Sequence, residues 1–255
     1  MNNQMLAEWF KLKRNKTFWV ILFIVAGLSA LLNYLVIIDW WQMGGTPFEQ
    51  AGLSEFNALS TFTVPLLFNL IVGTLAGFFI SNEFSFSGVI KNQILSGSKR
   101  SHIYMSKYLI FSIGAIIVTI LIPLITAIIE IILLGYGEIL NLSNVLYLGR
   151  AFGLFALQLL GYTAIILLLA IVTEDSGKTI IFSVLFTIVM LLVDIFPRPA
   201  LLNAIYENSI FYQFSSVFNY TMTDGEVLKS IVIALMTMII VCICGIAIFN
   251  KKEIK

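Results

Sequence analysis

The sequence predicts an all-α integral membrane protein that crosses the bilayer six times. Of its 255 residues, 59% are hydrophobic and 11% charged, against about 45–50% and about 25% in soluble domains. The apolar residues are gathered into long blocks with short polar segments between them. Six blocks, 18–38, 61–81, 108–134, 151–172, 179–196 and 230–249, come close to the roughly 20 residues a helix needs to cross about 30 Å of hydrocarbon. We expect one six-helix transmembrane domain, residues 18–255, preceded by a short amphipathic segment, residues 1–17.

The amphipathic segment comes first. At helical spacing Met5, Leu6, Trp9, Phe10 and Leu12 share a broad apolar face, and Glu8, Lys11, Arg14 and Asn15 share the other, the pattern of a helix lying in the membrane interface. Lys13 falls inside the apolar arc and must snorkel to reach water. A disordered basic tail is the alternative reading. The apolar run that follows is 21 residues long and ends in Ile37-Ile38-Asp39-Trp40-Trp41, without a small-residue cleavage site. It is therefore expected to be a retained first span rather than a secretory signal. Residues 39–60 form an outer loop with turn signals at Gly44, Gly45 and Pro47, and no chemistry is legible in it.

The second block carries Gly73 and Gly77, a small-x-x-x-small pair that lets two backbones approach, either within the chain or between subunits. Residues 82–107 are the most informative polar segment. Ser87 is placed to cap a short helix that Gly97 ends. On that helix Phe86, Val89, Ile90 and Ile94 form an apolar stripe from which Leu95 departs. The stripe needs cover, either from this chain's own bundle or from a separate cytosolic partner.

Pro123 inside the third block predicts a kink, and Glu130 lies near its outer end, as a pathway or gating group or as a solvated helix terminus. Asn33 in the first block and Gln158 in the fourth are expected to be interhelical hydrogen-bond partners more than substrate ligands. Residues 197–228 are too polar to span yet rich in aromatics, which fits non-spanning helices dipping back from the outer surface or an aromatic-belt loop. Cys242 and Cys244 in the last block read as apolar filler.

Orientation follows from Lys and Arg. Twelve of the fifteen lie in the termini and the second and fourth loops, whereas Arg150, Arg198 and Lys229 lie on the other side. Both termini are thus expected in the cytoplasm. The balance of +1 gives no nucleic-acid footprint. With His102 as the sole histidine, no acid cluster within the spans and no G-x-x-x-x-G-K-[ST] loop, neither a metal site nor an enzyme is expected. Any ATP used must be bound by another polypeptide.

The basic start AEWFKLKRNKTFW running into the first span, with Glu83, Gly88-Val89-Ile90-Lys91, Ser98-Lys99-Arg100 and Lys107 after the second, resembles the ABC-2 permease family. Gly97-Ser98 stands where many members have a proline. The resemblance implies an elbow helix carrying Trp9, Phe10, Lys11, Lys13 and Arg14. It also implies an ATPase-coupling segment carrying Glu83, Phe86, Gly88, Val89, Ile90, Lys91, Ile94, Arg100 and Lys107, and outer re-entrant helices before the last span. It implies as partners a separate ABC ATPase holding ATP and Mg, a second permease copy or a related chain, and the lipid bilayer of a bacterial cytoplasmic membrane. The chain's size and composition resemble members that export antimicrobial or toxic amphipathic peptides or confer immunity to them. Other members move drugs, lipids, polysaccharide or sodium, and a non-transporting scaffold or sensor is the remaining alternative.

Overall fold

The computed structural model describes residues 2–85, 88–196 and 199–252. Phe86, the expected cap Ser87 and Arg198 lie outside them. The chain is all-helical there, with six helices long and apolar enough to cross a membrane: Lys16–Ile37, Pro65–Phe84, Arg100–Leu133, Leu142–Thr173, Ser176–Ile195 and Asp224–Lys251.

The six expected spans are all present, but several ends move. The amphipathic helix Asn2–Arg14 stops at Asn15, whose side chain accepts from the Phe18 amide (3.1 Å) and caps the first span. The second span starts at Pro65 rather than residue 61. The proline fits the first helical turn, Val64 before it is extended, and residues Leu59–Thr63 form a separate turn. The third span starts at Arg100, eight residues before residue 108, because Ile103, Tyr104, Ser106 and Lys107 are buried in protein. The fourth starts at Leu142, capped by Asn141 (3.0 Å to the Asn144 amide), so Arg150 lies inside a helix. The sixth opens on a reciprocal Thr223–Glu226 capping box, which satisfies its first-turn amides.

The disruption expected at Pro123 takes the form of a π-helical turn, Ile117–Leu121, just before the proline. Such a turn accommodates a missing amide without ending the helix. A second π-helical turn, Gly77–Ser81, lies near the C-terminal end of the second span.

The fourth span runs through the middle of the bundle and packs along the sixth, while the fifth packs along the second and the first against the outer half of the third. In the second and fourth spans 61% of the most apolar stretch is buried, against 17% in the fifth and sixth. Gly73 and Gly77 serve a contact within the chain. A Cβ on Gly73 would sit 2.3 Å from Ser183 Oγ, and one on Gly77 2.9 Å from the Ser176 carbonyl, so the fifth span lies directly on these glycines.

Polar side chains stitch the spans together. Ser81 bonds Thr179 (2.7 Å), Ser112 bonds Thr163 (2.7 Å), and Tyr162 bonds Asn69 and Thr187. Asn33 donates to the Ser29 carbonyl (2.8 Å), and Ser29 reaches the Pro123 carbonyl. Gln158 donates to Ser230 Oγ (2.8 Å). Gln158 is thus an interhelical partner, whereas the bonds of Asn33 stay within its own helix and it is Ser29 that reaches across to the third span.

The segments expected on the outer side are more structured than a loop reading suggests. Residues 39–60 fold back as short turns whose Phe48, Leu53, Phe56 and Ala58 are buried. After the fifth span two short helices, Ala200–Glu207 and Ile210–Ser216, occupy the stretch where non-spanning helices are expected. The first exposes Leu201, Leu202 and Ile205, whereas the second is inserted among the spans. Phe214 meets Phe68 (4.6 Å), Phe155 (5.6 Å) and Tyr162 (5.9 Å), and Phe218 meets Phe48 and Phe152. Tyr147 donates to the Phe218 carbonyl (2.7 Å) and Arg150 to that of Asn219 (2.6 Å). These bonds account for a guanidinium lying inside the fourth helix.

Candidate functional site

At the basic end of the bundle four charged side chains close into a ring. Lys107, in the second turn of the third span, donates to Glu8 Oε2 (3.1 Å) and pairs with Glu83. Lys11 pairs with Glu8 Oε1 (2.7 Å) and Glu83 Oε1 (2.9 Å). Each carboxylate therefore bridges both lysines, and the ring is neutral. Glu8 and Lys107 are each 1% exposed, so their pairing must offset a large desolvation cost. Burial pushes the Glu8 carboxyl pKa up, but Lys107, Lys11 and Gln93 outweigh it and hold the group below its usual value.

The ring gathers three segments distant in sequence: the amphipathic helix, the inner end of the second span and the start of the third. Gln93 adds a fourth. It lies on the short helix Val89–Leu95 and donates to Glu8 Oε1 (3.1 Å). Gly88 opens that helix at φ +55° and Gly97 follows it at +84°, left-handed values that suit glycine. The expected glycine-hydrophobic-x-lysine pattern thus has a backbone reason at its first position.

Two expectations about orientation are corrected here. The amphipathic helix does not turn its whole polar face to water. Glu8 and Leu12 are buried against the bundle, whereas Leu6 and Phe10 are 67% and 54% exposed. The ring supplies the reason, since Lys107 needs an acid and Glu8 is the one the helix offers. Lys13 and Arg14 stay exposed and stack over Trp9 (5.0 Å) and Phe10 (4.2 Å).

The short helix is also not free to present Ile90 to a partner. Ile90 is 1% exposed and Ile94 packs partly buried against the same core, so the chain's own bundle covers these two residues of the stripe. The outward face is Lys91, Asn92, Leu95 and Ser96, with Leu95 75% exposed. Leu95, off the expected stripe, is the apolar group available for contact.

Arg100 does not join the ring. Its guanidinium donates to the carbonyls of Phe249, Asn250 and Lys252 at 2.6–3.0 Å, closing the C-terminal end of the sixth span. Lys252 then pairs with Glu174 (2.9 Å) and reaches the Ile171 carbonyl. Glu130 lies apart from both clusters, half-buried one turn before the end of the third span, and one of its carboxylate oxygens has no hydrogen-bond partner.

Sequence reasoning named Glu83, Lys107 and Lys11 but passed over Glu8 and Gln93. A signal for Glu8 was present. A lysine embedded in a long apolar helix needs a counter-ion, and Glu8 is the one acid before residue 39. No group of three or more His, Cys, Asp or Glu able to hold a metal occurs among the described residues.

A family model described as ABC-2 family transporter protein matches residues 5–194. That stretch takes in the amphipathic helix, the charge ring, the short helix and five of the spans. No curated protein and no solved structure matches the chain. With the family model covering most of the sequence and six membrane-crossing helices in the structure, the chain belongs to the ABC-2 family of transporter proteins.

Proposed function

We propose that this chain is the permease subunit of an ABC exporter, moving a hydrophobic or amphipathic substrate outward with ATP hydrolysed by a separate ATPase subunit. In this reading the chain is one six-helix domain with residues 1–17 as its elbow. It pairs with a second permease copy or a related chain in a bacterial cytoplasmic membrane, with both termini inside. It binds no cofactor itself, ATP and Mg residing in the ATPase. The substrate we favour is an antimicrobial or toxic peptide.

The observation that carries the reading is the charge ring. It joins the short helix Val89–Leu95 to the elbow and to two spans through buried ion pairs and Gln93. A push on that helix is therefore delivered to the spans rather than lost in a loose loop, which is what transport driven by a separate motor requires. Membership of the ABC-2 family supports an ATPase as that motor.

The exposed face of the helix defines the test. Lys91→Glu combined with Leu95→Asp changes two exposed side chains and should leave assembly intact while abolishing ATPase copurification and peptide resistance together. Ile90→Asp, by contrast, places a carboxylate in the core and should impair folding. Normal copurification and resistance in the Lys91/Leu95 variant would remove the coupling assignment. Loss of copurification with unchanged sensitivity to amphipathic peptides would remove the peptide.

A further inference from the structure

An open groove of about 600 Å³ lies between the elbow helix and the inner end of the second span. Its apolar lining includes Phe10, Phe78 and Val89, and its polar lining Lys11, Arg14 and Asn15. Phe10 and Phe78 are 54% and 42% exposed, so these rings face outward rather than into the core.

The charges in the groove are unevenly spent. Lys11 is neutralised by Glu8 and Glu83, and Glu83, the one acid lining the groove, is held by Lys11 and Lys107. Arg14 forms no ion pair among the described residues, and its guanidinium rests over the Phe10 ring at 4.2 Å. Asn15 uses its side-chain oxygen to cap the first span, leaving the amide nitrogen as a donor. The groove thus offers uncommitted positive charge beside an apolar slot. Its level is the boundary between elbow and span, where the half-exposed Trp19 donates to the Lys13 carbonyl (2.7 Å), a position that suits the headgroup region.

We propose that this groove binds one anionic phospholipid, its phosphate on Arg14 and the Asn15 amide and an acyl chain along Phe10 and Phe78. Charge complementarity selects the headgroup. A guanidinium binds phosphate through charge-assisted hydrogen bonds, and basic sites at the ends of membrane helices hold anionic lipids. The exposed phenylalanines select a ligand with a hydrocarbon tail over free phosphate or a soluble acidic partner. A bound lipid would brace the elbow against the second span beside the charge ring.

The test is native mass spectrometry of the purified chain titrated with phosphatidylglycerol and with phosphatidylcholine of the same acyl chains. We expect one saturable phosphatidylglycerol site. Arg14→Gln should weaken it roughly fivefold, the equivalent of about 1 kcal/mol for one basic residue at a lipid surface. Arg14→Lys should retain most of the binding. Lys13→Gln removes the same charge outside the groove and should change affinity less than twofold, and millimolar inorganic phosphate should not compete. Equal losses for Arg14→Gln and Lys13→Gln would reduce the effect to general surface attraction and overturn the site. Unchanged lipid binding in Arg14→Gln with loss of the ATPase would assign the groove to that protein instead.

Discussion

Replacing Lys107 by methionine tests whether the charge ring holds the elbow helix to the bundle. The substitution keeps the length of the side chain and removes its charge. Glu8 then retains Lys11 at 2.7 Å and Gln93 at 3.1 Å, and Glu83 retains Lys11 at 2.9 Å. Two carboxylates must share one lysine, with Glu8 still buried. Removing one partner of a buried pair costs about 3–5 kcal/mol, which raises the population with the elbow undocked by roughly two to three and a half powers of ten. Lys11→Met is the comparison. Its side chain is 28% exposed, so solvent screens it and the expected loss is only about 1 kcal/mol. The assay is protease cleavage within residues 1–17 of the detergent-solubilised protein, beside thermal unfolding. Adding Glu8→Gln to Lys107→Met leaves the neutral pair of Lys11 and Glu83, and should make the double variant more stable than the summed losses by about 0.5–3 kcal/mol. Equal effects of Lys107→Met and Lys11→Met, or strict additivity in the double variant, would refute the ring as a cooperative unit.

Other expected outcomes follow the same geometry. The Glu8 carboxyl is held below its ordinary value of 4.5, so its contribution to docking is complete above that value and is lost as pH falls through the lower folded one. Trp9 fluorescence should stay constant from pH 7 to about 5 and change only under stronger acid; release at pH 6 would contradict the pairing. Gly73→Val should lower stability by about 1–3 kcal/mol through the clash with Ser183, whereas Gly149→Ala, with nothing within 4 Å of its Cβ, should shift the unfolding midpoint little. Tyr147→Phe removes the bond to the Phe218 carbonyl and should cost about 1–3 kcal/mol by leaving a buried acceptor unpaired, seen as faster proteolysis after residue 216. In a background with Cys242 and Cys244 replaced by alanine, a cysteine at Ser96 should be shielded from an impermeant thiol reagent in intact cells and one at Gln50 should react. Labelling at Ser96 would invert the orientation.

The number and order of the spans were legible because lipid imposes a length and a composition that hydropathy reports directly. The ends of the spans were less so. A charge-free window starts the third helix at residue 108 and the fourth at residue 151, yet Lys107 and Arg150 are carried inside their helices by partners from elsewhere: Glu8 and Glu83 for one, backbone carbonyls after Phe214 for the other. Local composition contains no record of such partners. The packing of residues 39–60 was hidden for a related reason, since nothing local to Phe48 shows that Phe218, which follows the second short helix, lies alongside it. The short inner helix was found from its glycines and its stripe, but burial of Ile90 by the chain itself depends on packing that a stripe cannot specify. Glu8 was the most recoverable omission, because Lys107 demands an acid and few acids lie on that side.

Arg100 and Lys252 give the bundle a mechanical character of their own. The guanidinium in the first turn of the third span holds the C-terminal end of the sixth, and Lys252 fastens that end to the last turn of the fourth and to Glu174. Three helices are thereby fastened together at one end, five residues after the short helix. Along the third span the π-helical turn Ile117–Leu121 interrupts the regular helix, and the part beyond it packs against the first span. The turn at residues 117–121 thus separates the part of the third span clamped to the fourth and sixth from the part that packs on the first.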